Sequence, residues 1–558
     1  KNNIIDCVLD NPFSQDDIGH INKFLNIPKM YIHLSETDQF VTILATIEQM
    51  SNIWTKYTDN QSKYFKDVSK KLDNAVYGLD DAKNQIKRLL AQWVNGVDEG
   101  YVFGFEGPPG TGKTTLAKQG IASCLIDEVS NPRPFVFIAL GGSSNGSTLE
   151  GHNYTYVGST WGRIIDGIID SKCMNPIIYI DELDKISRTE HGREIVGILT
   201  HLTDPSQNAE FTDKYFSGIK FDISKCLIIF SYNDSSIIDK ILLDRIQKVK
   251  INPLNKEDKI MVSKKHIIPS ILQNIGFNEE DIIISDEVIS HIIDTYTYEA
   301  GARKLKEKLY EIYREINLKY LINGEDNIPF VITTDFIDKI FENYTQVEKK
   351  KIHTVMKPGL INGLYATGAG VGGITIIECF KFATSTHLEL KLTGLQGEMM
   401  KESMAVAKTL ALNIIPLDVL KQLEDDTNKF GIHIHCPSGG TPKDGPSAGT
   451  AITVGIISLL CNIPVLNTMG ITGEIDLNGN VLPIGGLESK VDGGKNAGIT
   501  HILCPEKNKV DLNKIRKRPN PPESSKFKIE MIETIYEALE RFLVMPKGTK
   551  VSTYFRKI

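Results

Sequence analysis

Eight residues, GPPGTGKT at 107–114, limit what this chain can fold into more than any other stretch of it. They follow an apolar run, YVFGF, and open a helical pattern, TTLAKQGIASCLI. A GxxxxGK[ST] loop between a strand and a helix is shaped to wrap phosphate. Glycines let backbone N–H groups turn inward, and the helix N-terminus adds a favourable field. Gly107, Pro108, Pro109, Gly110, Thr111 and Gly112 make the cradle, Lys113 reaches the β- and γ-phosphates of ATP, and Thr114 holds Mg²⁺. The bland alternative is a chance glycine turn, which the strand–loop–helix setting disfavours.

The surrounding pattern agrees. Between 100 and 251 the runs YVFGFEG, PFVFIAL, PIIYI and CLIIF alternate with helical segments, as in a parallel sheet covered on both faces. PIIYIDELDK ends in Asp181, suited to the Mg²⁺ shell, and Glu182, suited to orienting and deprotonating an attacking water. Asn233 closes the strand CLIIFSYND, where it can contact the γ-phosphate or the water; alone, such an Asn is turn chemistry. LLDRI supplies Arg245 and EAGARKLKEKL supplies Arg303; either alone reads as a solvated arginine. Residues 35–75 read as helical, 1–34 as ambiguous, and 252–342 as helical with Ser285 a predicted N-cap. Tyr156 and Val157, in GHNYTYVGSTWGRII, can grip an extended chain by ring stacking and apolar contact, or form a small surface aromatic cluster.

A second chemistry lies downstream. YTQVEKKKIHTVMKPG (344–359) is charged and poor in core residues, a linker, and beyond it short strands, glycine-rich turns and helices form an α+β pattern. TPKDGPSAGT sets Ser447 between a proline and small residues, as a nucleophile would be. A serine hydroxyl needs a base to take its proton. His433 and His435, on one strand face, read as sheet residues. Lys490, in LPIGGLESKVDGGKNAGI, follows a Gly-Gly turn near a helix start, where the dipole disfavours its ammonium; Lys495 is the rival. GAGVGG (368–373) satisfies GxGxxG, but a strand follows it, so a hairpin loop is expected. The basic run NKIRKRPNPP (513–522) reads as a solvated loop.

Composition narrows the rest. At 558 residues the chain exceeds one core and should hold three or four domains. A net charge of −7 favours neither nucleic acid nor an anionic membrane. Eight cysteines without a CxxC point to a reducing compartment, cytoplasm or a mitochondrial matrix reached by a removed targeting peptide. AITVGIISLLCNIPVL (451–466) is too short and too interrupted for a bilayer span and is expected as a core helix, so no membrane span is expected. Because the chain starts at Lys1, it is expected to be a fragment or a processed product.

The first set of motifs resembles an AAA+ ATPase, which implies Asn233 as sensor 1, Arg303 as sensor 2 and Arg245 as an arginine finger reaching a neighbour's nucleotide in a homo-oligomeric ring, six subunits being the expectation. With GTPKDGPSAGTA, GITGEIDLNGNVLPIGGLESK and AGITHILCPEKN, residues 75–540 are similar to Lon proteases. The resemblance implies Ser447 as nucleophile, Lys490 as general base, Thr472 orienting the lysine, Asp444 beside the serine controlling whether the site is open, and backbone N–H groups around Ser447 as an oxyanion hole. It implies an α/β and α+β multidomain fold: a helical segment (1–74), an AAA+ P-loop α/β domain (75–251), a helical lid (252–345), an α+β Lon-type proteolytic domain (346–545) and a C-terminal tail (546–558). The implied activity is ATP-dependent serine endopeptidase on unfolded or misfolded proteins pulled through a pore; the alternative is a protein remodeller whose peptidase domain is structural or regulatory. Two departures stand out: Glu488 where the family carries a basic residue, and only about seventy residues ahead of the ATPase, where soluble members carry a large recognition domain.

Overall fold

The structure, a computed structural model, describes residues 43–53, 61–96, 100–127, 129–141, 145–153, 155–156, 158–323, 329–344, 346, 351–367, 371–423, 429–437, 444–518 and 521–558. The chain divides into two compact units, residues 1–283 with 301–331, and residues 284–300 with 332–558.

In the first unit, helices α1 (Gln61–Ala75) and α2 (Asp80–Asn95) precede β1 (Tyr101–Glu106) and the helix α3 that starts at Lys113 and ends at Cys124. Then come β2 (Phe135–Ala139), α4 (Arg163–Ser171), β3 (Ile177–Asp181), α5 (Glu190–Leu202), β4 (Leu227–Tyr232), α6 (Lys240–Asp244), β5 (Gln247–Lys250), α7 (Ile268–Ile275) and the long α8 (Arg303–Asn323). The strands pair in the order β2-β3-β4-β1-β5, all parallel. Successive strand residues point to opposite faces, and the core splits accordingly. Ile177, Tyr179, Leu227 and Ile229 pack with α1–α3 on one face, whereas Ile178, Ile180, Ile228 and Phe230 pack with α4 and α5 on the other. The four expected strands are present. The fifth, β5, escapes the hydrophobic pattern because it is an edge strand whose only buried residue is Val249, the rest being Gln and Lys.

The second unit opens with the helix Asp286–Tyr296, capped as expected by Ser285, whose hydroxyl accepts from Val288 N–H. Its sheet runs through β6 (Leu360–Ala366), β7 (Gly372–Ala383), β8 (Leu390–Thr393), β9 (Phe430–His435), β10 (Met469–Ile471), β11 (His501–Pro505) and β12 (Lys528–Ile532), in the spatial order β8-β9-β7-β6-β10-β11-β12. β6 and β7 are an antiparallel hairpin, so the GxGxxG match flanks a hairpin turn, as its context implied; residues 368–370 lie outside the described residues. Helices α9 (Glu398–Ile414), α10 (Gly449–Cys461), α11 (Leu487–Asn496), α12 (Lys509–Arg516) and α13 (Ile535–Phe542) complete it. α10 is the expected core helix, with nearly every residue buried. It ends at Asn462, which takes the left-handed conformation Asn tolerates.

Two readings change. Residues 546–558, expected as a tail, are anchored to the packed core. Val551 and Phe555 are buried there, and Arg556 donates its backbone N–H to Ile414 O at 2.8 Å and Nε to Ile415 O at 2.6 Å. The basic run at 513–522 contains the end of α12, and its Arg518 is a nearly buried ion-paired side chain, not a solvated loop residue. Among the described residues the seven cysteines are free, all but Cys461 buried. No single described helix is long and apolar enough to cross a membrane.

Candidate functional site

In a parallel sheet, the carboxyl ends of adjacent strands converge, and ligands bind there. Glu106 of β1 aligns with Tyr232 of β4, and β3 ends alongside at Asp181. The phosphate loop, the Asp181–Glu182 pair and Asn233 therefore leave one edge together. Gly110 and Gly112 have φ of +75° and +92°, backbone that only glycine adopts without strain. Lys113 is buried and its Nζ bonds inward, to Gly107 O, to Pro108 O at 3.3 Å, to Tyr232 O at 3.4 Å and to Asn233 Oδ1 at 3.1 Å. Burial lowers its pKa, and Asp181 and Asp184 pull the other way. Thr111 Oγ1 donates to Pro108 O, and Thr114 Oγ1 shares a 3.1 Å hydrogen bond with Tyr179 OH.

Glu182 occupies the left-handed region at φ +60°, and its carboxylate lies so close to Gly141 that a Cβ there would sit 1.6 Å from Oε2. Such strain in a non-glycine residue marks functional turns. Arg303 heads α8 directly over the loop: Ala302 N–H donates to Gly110 O at 3.0 Å, and a Cβ on Gly110 would lie 3.1 Å from the Arg303 Cβ. Its guanidinium is exposed, 3.7 Å from Glu307. Arg245 is the member this set does not gather in. Its Nη1 donates to Thr200 O at 2.6 Å and pairs with Asp204 at 3.0 Å. Tyr156 is 71% exposed, and Val157 lies outside the described residues.

Sequence reasoning missed Asp184. It is buried and accepts Asn233 N–H at 3.2 Å through Oδ2, while its Oδ1 is without a partner among the described residues. A buried carboxylate oxygen left open beside Lys113 suits a cation held jointly with phosphates, as Mg²⁺ is.

The second site is built at the start of α10. Ser447 sits on the short turn Pro446–Ala448 that leads into this helix, and its carbonyl accepts Gly473 N–H at 2.9 Å and Thr472 Oγ1 at 3.3 Å. Lys490 Nζ donates to that same Thr472 Oγ1 at 3.2 Å. Ser447, Thr472 and Lys490 are thus brought together, with Thr472 the bridge; among the described residues no hydrogen bond runs from Lys490 Nζ to the serine hydroxyl. Lys490 is 3% exposed, and burial alone lowers its pKa to about 8. Asp444 turns elsewhere. Its Oδ1 accepts Met400 N–H at 3.2 Å at the N-terminus of α9, and a Cβ on Gly397 would lie 2.2 Å from its Cγ. His433 and His435 are sheet residues, as expected, and share the Thr393 hydroxyl at 2.9 and 2.7 Å.

The flanks of Lys490 share one partner. Arg518 bridges Glu488 and Asp492, the latter through Nη1 at 3.0 and 3.1 Å, so the acids on either side of the lysine are neutralised by one guanidinium.

With this geometry in place, family comparison is informative. Residues 103–254 match the ATPase family associated with various cellular activities (AAA), residues 273–328 the Lon protease AAA+ ATPase lid domain, and residues 332–545 the Lon protease (S16) C-terminal proteolytic domain. The chain is similar to Lon proteases across its ATPase, lid and proteolytic segments. It is 34% identical to a Lon protease homolog of Acanthamoeba polyphaga mimivirus, covering 88% of this chain and 53% of that one. It is 35% identical to a Lon protease of Clostridium beijerinckii (86% and 58%) and 38% identical to one of Aquifex aeolicus (79% and 54%). The chain therefore spans a little over half the length of these curated relatives. The AAA match makes the first unit's site a nucleotide-binding one.

Proposed function

We propose that this chain is a Lon-type ATP-dependent serine endopeptidase that draws unfolded proteins through a ring and cuts them with Ser447 and Lys490. The observation that carries this reading is the Lys490 amine: buried, lowered to about 8, and hydrogen-bonded through Thr472 to the turn that presents Ser447. A lysine free to be neutral near physiological pH can serve as a general base where histidine is missing. Lys490 would take the Ser447 proton as Oγ attacks the scissile carbonyl, and the resulting ammonium would return that proton to the departing amine. Water then releases the acyl group by the same route. Backbone N–H groups at the start of α10 would hold the developing oxyanion, an interaction of about 3 kcal/mol in related sites. Thr472 would fix the amine between transfers. Asp444, bonded to the α9 N-terminus, would govern access by moving with that helix.

At the nucleotide site, Gly107–Gly112, Lys113, Arg303 and Asn233 would hold the phosphates, with Thr114, Asp181 and the open Asp184 oxygen around Mg²⁺ and Glu182 aligning water. ATP supplies the free energy for moving substrate; Tyr156 and Val157 would grip the moving chain. Arg245 would serve a neighbouring subunit of a ring of six. The free cysteines suit a reducing compartment.

Degradation of an unfolded casein-type protein with and without ATP tests this. Wild type should yield peptides only with ATP, and Ser447→Ala and Lys490→Gln should yield none. Steady ATP consumption with the substrate left intact in wild type would replace the peptidase reading with that of a remodeller.

A further inference from the structure

The loop that carries Tyr156 leaves and re-enters the first unit at one point. His152 N–H donates to Thr160 O at 3.0 Å, closing the loop at its base. Beneath that closure lies Asp213, fully buried in the ribbon formed by Phe211–Thr212 and Lys220–Phe221 and the turn between them. Its Oδ2 accepts Gly162 N–H at 2.8 Å and its Oδ1 accepts Tyr215 N–H at 2.9 Å, so one carboxylate joins the returning end of the loop to the ribbon. The outgoing end is held by the next residue: Lys214 N–H donates to Glu150 O at 2.7 Å, and its Nζ pairs with Glu194 at 3.0 Å and Glu150 at 3.7 Å. Trp161 lies edge-on to Tyr215, ring centres 5.7 Å apart.

The neck has no spare room. A Cβ on Gly162 would lie 2.0 Å from Leu149 O, and one on Gly151, whose φ is +71°, would lie 2.8 Å from Gly162 N and 2.9 Å from Asp213 Oδ1. Two glycines therefore allow both ends of the loop to meet at the buried carboxylate. Burying an acid is costly, and burial pushes this carboxyl up to about 7 even though the Gly162 and Tyr215 N–H groups hold it down. A fold that needed only two satisfied N–H groups there has neutral acceptors available.

We infer that Asp213 is a positioning residue for substrate translocation, fastening the returning end of the 152–161 loop to the ribbon, beside the outgoing end that Lys214 holds, so that force at Tyr156 passes into the ATPase unit instead of flexing the loop. This rests on the reading of Tyr156 as a substrate grip. Asn in place of Asp offers one acceptor for two N–H groups and should loosen the neck.

The test uses the assembled full chain and three readouts: ATP hydrolysis, cleavage of a short fluorogenic peptide, and ATP-dependent degradation of an unfolded protein. Asp213→Asn is expected to keep the first two within about twofold of wild type and to lose the third about tenfold or more, with limited proteolysis cutting faster within 152–161. Should Asp213→Asn fail to fold by its melting curve, Lys214→Met, a change at a half-exposed side chain, is expected to show the same selective loss at about two- to threefold. Tyr156→Ala is the reference. If Tyr156→Ala degrades protein normally, the grip reading itself is wrong. If Tyr156→Ala is defective while folded Asp213→Asn, or Lys214→Met in its place, degrades protein at the wild-type rate, the grip stands and this inference is overturned. Peptide and protein cleavage falling in equal proportion would also overturn it.

Discussion

At Lys490 burial holds the ammonium at a pKa of about 8, whereas the same side chain in an unfolded chain titrates near 10.4. Two consequences have opposite signs for activity and stability. With Lys490 as the proposed base, catalysis would need the free amine, so peptide kcat/KM should rise about tenfold per pH unit below 8 and level off above it; a profile flat from pH 6 to 9 would remove Lys490 from the base role. Between pH 8 and 10.4 the unfolded state binds more protons, so stability climbs with pH across that window, and below 8 the folded protein bears the whole cost of the buried charge. Lys490→Met should therefore be inactive yet more stable than wild type at pH 7, by on the order of 2–3 kcal/mol, with the difference shrinking toward pH 10. Thermal melts at the two pH values check this. The proximity of Ser447, Thr472 and Lys490 was expected from the motifs that carry them, each a short stretch of small residues. Asp184 was not, since nothing in DELDK distinguishes a buried acid from a solvated one until Asn233 closes over it.

At the scale of elements, α11 shows how the helix carrying Lys490 is seated. Its inner side meets the β6–β7 hairpin at backbone distance, for a Cβ on Gly493 would lie 2.2 Å from Gly372 C. Its outer side is clamped by Arg518 through Glu488 and Asp492, one helical turn apart. Arg518→Met leaves two partly exposed acids without their shared partner. A cost of about 1–2 kcal/mol is expected, less than for a fully buried pair. Arg518→Lys should recover only part of it, because a single ammonium cannot serve both acids as the forked guanidinium does. The drop in melting temperature for the two variants measures this; equal drops would remove the fork from the account. None of this clamp was visible in the chain, where NKIRKRPNPP looks solvated, because the partners lie 26 residues back for Asp492. Strands β1, β3 and β4 were read from apolar runs that the middle of the sheet buries, and β2, an edge strand with Phe137 exposed, from its apolar composition alone. The edge strand β5 and the core-packed residues Val551 and Phe555 carry too little periodicity to declare themselves.

For the molecule as a whole, the side chain that bears most on assembly is Arg245. Within its own chain it is tied to Thr200 O and to Asp204, and no phosphate-loop residue is among these partners. An always-charged guanidinium at the end of α6, only half-buried, could exchange Asp204 for an anion of a neighbouring subunit. If that anion is a neighbour's γ-phosphate, hydrolysis is a property of the ring. Neither a chain with Arg245→Ala nor one with Lys113→Ala should then hydrolyse ATP alone, the first lacking the finger and the second the phosphate grip. Mixed and allowed to exchange subunits, they should regain activity, because an intact loop on an Arg245→Ala chain can stand beside an intact Arg245 on a Lys113→Ala chain. The regained rate should follow the product of the two fractions and peak near an equal mixture. Loss of the contact with Asp204 must accompany each such encounter, so Asp204→Asn in the wild-type background should raise turnover modestly, about twofold. Mixtures that stay inactive at every ratio, with subunit exchange verified by fluorescence transfer, would confine Arg245 to its observed role of joining α6 to the end of α5.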